Sequence, residues 1–285
     1  MNRPEQSHRA ESISQHLGCD RPYMIGIGGC GMSALARLMH DAGLTVRGCD
    51  STPSPVTDAL SDTGIPVGFD EQAGQLPSDA RVIIASAAIK HDHPMMIEAA
   101  SRGLSILTYP EALGVCMRGH TGVAIAGTHG KSTTTAMLGC ALTDAGLAPS
   151  VIVGATCTQL SHGALSSSDA PVGYRVGDRT IPKGERAGEP GILLAEACEF
   201  NRSFHHLRPT VASIASIEAD HLDIYGSLDA VVEAFADFAR LIAPAEQGGK
   251  LIIAHDGAHR RVVTAGVTCA VETIGFNPAA DWVVT

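Results

Sequence analysis

Val123-Ala124-Ile125-Ala126-Gly127-Thr128-His129-Gly130-Lys131-Ser132-Thr133 is the stretch on which the fold of this chain turns. Val123 to Ala126 is apolar and short enough for a buried strand, and Thr134 to Ala145 carries apolar residues at helical spacing. Between them a glycine-bracketed turn sets a cation and a hydroxyl at the start of the helix. In a strand, loop and helix of this kind the loop N–H groups and the helix N-terminus face an anion. Lys131 neutralises β- and γ-phosphate charge, and the Ser132 hydroxyl is placed to ligate Mg²⁺. Gly127, Thr128, His129, Gly130, Lys131, Ser132 and Thr133 thus form a candidate phosphate cradle, in which His129 is positional. The first glycine of the full G-x-x-x-x-G-K-[ST] pattern is absent, since Ile125 stands there. The competing reading is a glycine-rich turn with a solvated lysine, and the flanking strand and helix weigh against it.

The chain has 285 residues, 45% of them hydrophobic, enough for two domains with substantial cores. A formal charge of −10 without Lys/Arg clusters argues against nucleic acid or an anionic membrane as partner. No apolar run approaches the roughly 20 residues of a membrane span, and Met1 to Asp20 lacks the apolar core of a signal peptide, so the expected location is cytoplasmic. Eight dispersed cysteines without a C-x-x-C pair read as reduced thiols, most of them small core residues. Aromatic residues are only 4%, so Ala, Val, Ile and Leu must fill the cores, as suits buried parallel sheets.

Upstream, Tyr23-Met24-Ile25 reads as a strand feeding Gly26-Ile27-Gly28-Gly29-Cys30-Gly31, which fits G-x-G-x-x-G and opens a helix with Leu35, Leu38, Met39 and Ala42 on one face. Leu44 to Cys49 is the next strand and ends at Asp50. This βαβ unit favours a nucleotide-type diphosphate site over a plain tight turn. Asp50 is placed either to contact a ribose or to cap the next segment. Strands over 81–85 and 104–108 and a helix over 94–102 continue the alternation, which implies a parallel, right-handed doubly wound sheet. Ser86, Ala87 and Ala88, beyond a strand's carboxyl end, form either a second wall of that site or a simple turn. A helix over 110–119 closes the domain.

After the phosphate loop come a strand over 150–153 and an irregular excursion from Ala155 to Gly191, with Ser166, Ser167 and Ser168 inside it and a possible hairpin around Tyr174 to Ile181. Ile192 to Ala195 is a buried strand delivering Glu196. A helical stretch near 201–207 and a strand over 210–217 lead to Glu218, Asp220, His221 and Asp223. A helix over 228–242 and a strand over 250–254 follow. Glu196 is placed to hold Mg²⁺ opposite the loop hydroxyl, or is a solvated strand-end glutamate. His221 reads equally as a metal ligand beside acidic neighbours or as a surface histidine. His205, His206, His91 and His93 have no partner at ligand spacing and read as surface or packing residues. No Ser-His-Asp set or nucleophile elbow appears, which leaves phosphoryl transfer from ATP by positioning and cation neutralisation.

Together, Gly26-x-Gly28-Gly29-Cys30-Gly31-Met32-Ser33, Gly127 to Thr134, Glu196-Ala197-Cys198-Glu199 and Ile217-Glu218-Ala219-Asp220-His221 resemble the muramyl ligase family in motif and order, over about residues 22–285. The resemblance implies a polar leader (1–20), a Rossmann-like doubly wound α/β domain (21–118) and a P-loop-type α/β ATPase domain (119–285) incomplete at its carboxyl end. It implies that the first glycine loop binds a UDP-sugar rather than NAD, through Gly28, Gly29, Cys30, Gly31, Met32, Ser33, Asp50, Ser86, Ala87 and Ala88. It also implies that Ser132, Glu196 and His221 hold Mg²⁺ beside ATP, with Lys131, Glu196 and His221 catalytic. ATP would phosphorylate the carboxylate of UDP-N-acetylmuramate, and the amine of L-alanine would attack the acyl phosphate, an early cytoplasmic step toward peptidoglycan.

The sequence departs from the family pattern in Ser132 for threonine, in Ser216 for the asparagine that commonly precedes the Ile-Glu-x-Asp-His run, and in the length of the excursion. Family members carry a third, carboxyl-terminal domain, and these residues stop before it. The expectation is a fragment that binds the UDP-sugar, and ATP weakly, without ligating. Alternatives are a recycling ligase that adds a tripeptide to the same UDP-sugar and a non-catalytic UDP-sugar-binding fragment.

Overall fold

The computed structural model describes residues 13–72, 75–161 and 172–285; the serine cluster 166–168 lies outside the described residues. By internal contacts the chain forms two units, residues 1–119 with 154–176, and residues 120–153 with 177–285. The sequence expectation of an unbroken domain over 119–285 therefore differs at 154–176. One reason is that the Arg37 guanidinium lies over the Tyr174 ring, 5.0 Å from its centroid, a cation–π contact that draws this segment to the first unit.

In the first unit the chain runs β1 (Tyr23–Ile25), α1 (Cys30–Asp41), β2 (Arg47–Cys49), α2 (Pro55–Asp62), β3 (Val67–Gly68), β4 (Val82–Ala85), α3 (Pro94–Ser101), β5 (Ser105–Thr108) and α4 (Tyr109–Arg118). The strands lie in the order β3-β2-β1-β4-β5, all parallel. Strands β1 and β4 are buried throughout, which explains their unbroken apolar runs. Helix α2 and strand β3 escape a periodicity reading because α2 buries only Thr57 and Leu60. Its start is written in capping chemistry instead: Pro55 at the first turn and the Ser54 hydroxyl accepting the Thr57 N–H at 3.3 Å. The leader is not uniformly polar in structure, since Ile13 and Leu17, four residues apart, are both buried. Of the eight cysteines only Cys49, Cys116 and Cys269 are buried, so the expectation that most lie in the core does not hold. Burial pushes the Cys49 thiol up to about 12.

The second sequence of elements is β6 (Thr121–Ala126), α5 (Lys131–Asp144), β7 (Ser150–Cys157), α6 (Thr158–Ser161), β8 (Val172–Arg175), β9 (Ile192–Glu196), β10 (Val211–Ile214), α7 (Leu222–Tyr225), α8 (Leu228–Ala239), β11 (Lys250–Ala254), α9 (Arg260–Val263), β12 (Ala270–Gly275) and β13 (Trp282–Val283). The sheet order is β13-β12-β11-β10-β6-β9-β7-β8, parallel from β13 to β7. Helix α5 exists where the sequence places one, but not as an apolar stripe: it buries only Thr135 and Gly139, and Met137 is exposed. Strand β10 stops at Ile214, three residues earlier than expected, and the chain from Ala215 to His221 is loop. The anticipated hairpin around 174–181 is two features: β8 ends at Arg175, and Thr180 pairs with Pro190 in an isolated antiparallel bridge.

Strand β13 has two residues and an exposed face, and carboxylates hold it to the sheet. Asp281 Oδ2 accepts the Thr273 N–H and hydroxyl, both at 2.8 Å, and Glu272 accepts from the Trp282 indole at 2.7 Å and pairs with Lys250. The Lys250 and Trp282 hydrogen bonds hold the Glu272 carboxyl below its ordinary range, and the Thr273 bonds do so for Asp281. A depressed carboxyl contributes stability above its unfolded pKa and loses it as pH falls through the folded value. Acidification below the ordinary carboxylate range is therefore expected to free β13 before the core unfolds. Trp282 is the chain's one tryptophan, so its fluorescence anisotropy should fall before the far-ultraviolet circular dichroism changes. Coincident transitions would contradict this.

Candidate functional site

Three adjacent strands, β10, β6 and β9, end side by side, with Ala126 opposite Ile214 and Ile125 opposite Glu196. Each delivers part of a site at its carboxyl end, as parallel α/β sheets do. From β6 comes the loop 127–130. Gly127 has φ 136°, and a Cβ there would lie 3.0 Å from the Ser216 nitrogen. Gly130, at φ 80°, starts α5. Thr128 is buried and fixes the loop to the β10 side: its N–H donates to the Ser216 carbonyl at 2.8 Å, and its hydroxyl accepts the Glu218 N–H at 2.9 Å. The Ser216 hydroxyl accepts the His129 N–H at 3.1 Å. The His129 side chain itself is exposed, with Nε2 3.8 Å from Glu218 Oε2.

From β9 come the two carboxylates that meet the loop. The Ser132 hydroxyl lies 3.0 and 2.9 Å from Glu196 Oε1 and Oε2. Lys131 Nζ donates to the Gly127 carbonyl at 2.8 Å, to the Thr128 carbonyl at 3.1 Å and to Glu199 Oε1 at 2.9 Å. The Lys131 and Glu199 side chains are 13% and 3% exposed, so this ion pair is interior. Glu199 Oε2 is 2.8 Å from Nζ yet has no aligned hydrogen bond, which leaves a buried carboxylate oxygen short of a donor.

The third wall is His221, which sits at φ 50°, ψ 39° ahead of α7, a left-handed backbone that a non-glycine residue adopts at a cost. Its Nε2 lies 4.0 Å from Glu199 Oε1 and 3.8 Å from Asp220 Oδ2. Phe200 meets the imidazole edge-on, with centroids 5.2 Å apart. Glu199, Asp220 and His221 each offer a ligand atom within 4.8 Å of the others. The candidate metal residues thus fall into two adjoining groups, Ser132 with Glu196, and His221 with Glu199 and Asp220. In the sequence Glu199 stands out only as the end of Glu196-Ala197-Cys198-Glu199, and its position three residues after Glu196, past the strand end, is the one signal it offers. The buried Glu199 carboxylate, the Asp220 oxygen and the His221 imidazole fit a hard divalent cation. At Cys198 desolvation raises the thiol pKa; the Phe200 backbone N–H lowers it, the Glu199 charge raises it and Lys131 opposes that rise.

Beside Ser216, a cavity of about 280 Å³ is lined by Ile214, Ser216, Glu218, Ile253, His259 and Arg260 at the ends of β10 and β11.

In the first unit, β2, β1 and β4 likewise end together. The Gly28 N–H donates to Asp50 Oδ2 at 2.8 Å, and a Cβ on Gly28 would lie 2.9 Å from that oxygen. Asp50 therefore fastens the glycine loop from within, rather than capping the segment after it. Ser86 joins the loop's strand through its N–H to the Ile25 carbonyl at 3.0 Å, and the Ala88 N–H turns back to the Ser86 hydroxyl at 3.4 Å. Gly28, Gly29, Cys30 and Ser86 to Ala88 thus come to one end of the sheet, whereas Met32 and Ser33 are buried in α1. Of the other histidines, His205 stacks on Phe204 and contacts the Ala234 carbonyl at 2.8 Å, a packing role. His93 caps α3 and meets Glu71 at 3.5 Å.

Residues 21–121 match the model of the Mur ligase family, catalytic domain, and residues 125–285 that of the Mur ligase middle domain. Two curated relatives share the name UDP-N-acetylmuramate--L-alanine ligase. That of Paenarthrobacter aurescens is 42% identical over 277 residues, covering 95% of this chain and 55% of the relative. That of Streptomyces coelicolor is 37% identical over 262 residues, covering 92% and 52%. The chain spans about half the length of the curated relatives it matches. Among solved structures, the UDP-N-acetylmuramate:L-alanyl-gamma-D-glutamyl-meso-diaminopimelate ligase from Neisseria meningitides superposes with a TM-score of 0.73 at 27% identity, over 89% of this chain and 77% of that one. The UDP-N-acetylmuramate-alanine ligase from Thermotoga maritima shares the fold, with a TM-score of 0.68 at 24% identity over 90% and 52%.

Proposed function

Because the chain belongs to the Mur ligase family, we propose that it supplies the UDP-sugar-binding and ATP-activating parts of a ligase joining L-alanine to the carboxylate of UDP-N-acetylmuramate, in the cytoplasm, toward peptidoglycan. The observation that carries this reading is the convergence of Lys131, Ser132, Glu196, Glu199 and His221 at three adjoining strand ends. A site that had lost phosphoryl chemistry would have no reason to keep a buried cation, a hydroxyl and paired carboxylates in contact. The shared name of the two curated relatives, at 37% and 42% identity, favours L-alanine over a tripeptide as the incoming amine.

In this reading the N–H groups of residues 130–132 and the Lys131 ammonium bind the β- and γ-phosphates of ATP, and the cavity beside Ser216 takes the nucleoside. Ser132 with Glu196, and Glu199 with His221 and Asp220, would hold Mg²⁺, which supplies charge neutralisation at the phosphates when bound. The muramoyl carboxylate oxygen attacks the γ-phosphorus and the bond to ADP breaks. Lys131 stabilises the charge that spreads over the transferred group. The amine nitrogen then attacks the acyl carbon, phosphate leaves with the bonding pair, and the amine gives up a proton. The first unit holds the UDP-sugar at Gly28, Gly29, Cys30 and Ser86 to Ala88, with Asp50 keeping the loop in shape.

Calorimetric titration of the purified chain with UDP-N-acetylmuramate and with NAD tests the reading of the first unit. Saturable binding of the UDP-sugar and none of NAD is expected; tight NAD binding without the UDP-sugar rejects it. No described helix is long and apolar enough to cross a membrane.

A further inference from the structure

The donors a phosphate loop should present are already engaged within the protein. Lys131 spends its three ammonium hydrogens on two loop carbonyls and Glu199, and Ser132 gives its hydroxyl to Glu196. Both carboxylates come from one four-residue stretch. They are not equivalent, because Glu196 has both oxygens at hydrogen-bond distance from a hydroxyl, while the buried Glu199 keeps one oxygen without an aligned donor. The carboxylate also belongs to the group formed with Asp220 and His221, with His221 Nε2 4.0 Å from Oε1, the oxygen that accepts from Lys131. Glu199 thus stands between two cations of different kinds, one present as Lys131 and one for which its surroundings provide further ligands.

The segment around Glu199 is fixed too firmly for the carboxylate to be a passing contact. The Tyr225 hydroxyl donates to the Glu199 carbonyl, and the Phe204 N–H donates to the Cys198 carbonyl at 2.9 Å. Asn201 and Arg202 both take left-handed backbone angles directly after it, and the Arg202 guanidinium lies 5.7 Å from the Tyr225 ring centroid. A backbone held against its preference on both sides of the site, here and at His221, marks a carboxylate kept where it is for a purpose.

We propose that Glu199 is a positioning residue with two alternative partners. Without a divalent cation it latches Lys131 down into the loop; with one, shared with His221 and Asp220, it lets go and Lys131 turns to the phosphates. The inference rests on the reading of 127–133 as an ATP-phosphate loop. Its consequence is an order built into the site: the cation neutralises phosphate charge and also releases the lysine, so metal and nucleotide reinforce each other beyond simple charge pairing. A charge-assisted hydrogen bond sets the scale of the latch, about tenfold in affinity for phosphates competing for the same ammonium.

Two measurements on the whole chain test this. In EDTA, Glu199→Gln should bind ATP about tenfold more tightly than the wild type, and Mg²⁺ should improve its affinity less. Glu199→Asp, which keeps the charge, should stay close to the wild type. If Glu199 served structure alone, Glu199→Gln would weaken ATP binding in EDTA and in Mg²⁺ alike, which overturns the latch. Second, without nucleotide, acetylation of Lys131 followed by peptide mass spectrometry should speed up when Mg²⁺ or Mn²⁺ is added to the wild type. In Glu199→Gln it should be fast from the outset. Acetylation indifferent to both the cation and the substitution overturns the proposal. Cation-dependent acetylation in a chain that binds no ATP would support the latch while rejecting the nucleotide reading of the loop.

Discussion

Lys131→Met is expected to lose about 3–5 kcal/mol of stability and to bind Mg-ATP on the order of 10- to 100-fold more weakly. Both effects come from one contact. Glu199 is almost fully interior, and its charge is answered by Lys131 Nζ at 2.8 to 2.9 Å. Methionine fills most of the lysine's volume but provides no cation, so a carboxylate with one oxygen already short of a donor loses its main partner. The loop loses more than a charge, because Nζ also ties the Gly127 and Thr128 carbonyls together across the turn. Urea denaturation followed by circular dichroism reads the first effect and calorimetry the second. Adding Glu199→Gln to Lys131→Met should recover much of the stability and none of the nucleotide affinity. A single substitution within about 0.5 kcal/mol of wild type, the range of ordinary surface changes, would show that the ion pair is not interior.

Phe204→Ala should cost a similar amount, about 3–5 kcal/mol, for reasons of packing. Phe204 is fully buried, stacked on Phe238 with centroids 4.9 Å apart and edge-on to Phe235 at 5.2 Å. Phe235 and Phe238 belong to α8, the apolar-faced helix over 228–239. In a chain with only 4% aromatic residues this cluster concentrates what aromatic packing there is. Its place decides its use. Phe204 lies five residues past Glu199, and its N–H holds the Cys198 carbonyl, so the cluster anchors the turn that presents the carboxylate to Lys131. The substitution should therefore also lower affinity for Mg-ATP, whereas Phe238→Leu, which keeps a large apolar group there, should cost less than half as much stability. Nucleotide affinity unchanged in a destabilised Phe204→Ala chain would separate the cluster from the site.

The two doubly wound sheets were legible because their strands are buried on both faces and read as unbroken apolar runs, as at Val82 to Ala85 and Ile192 to Ala195. Glycine loops at the ends of such runs located both strand-end clusters. What escaped the sequence was set by contacts distant along the chain. Nothing local tells that Thr128 is buried against Glu218, ninety residues on, or that Asp50 spends an oxygen on the Gly28 N–H. Helix α5 does not owe its place to apolar spacing, since it begins at the left-handed Gly130 turn and buries small residues rather than an apolar stripe. Segment 154–176 lacks any pattern of its own, and its association with the first unit, through Tyr174 and Arg37, is a matter of tertiary contact. Glu199 is not legible as a site residue because a glutamate past a strand end is solvated by default, and only the fold shows it enclosed with a lysine.

If the loop over 127–132 and the carboxylate and histidine groups beside it act as one metal-nucleotide site, cation and nucleotide must bind there together. Electron paramagnetic resonance of Mn²⁺ titrated into the chain with and without ATP tests it most directly. Tight Mn²⁺ binding is expected that depends on ATP, weakens sharply in His221→Ala and Glu196→Gln, and is lost with the nucleotide in Lys131→Met. Mn²⁺ binding that ignores ATP, or that survives His221→Ala and Glu196→Gln unchanged, would contradict it.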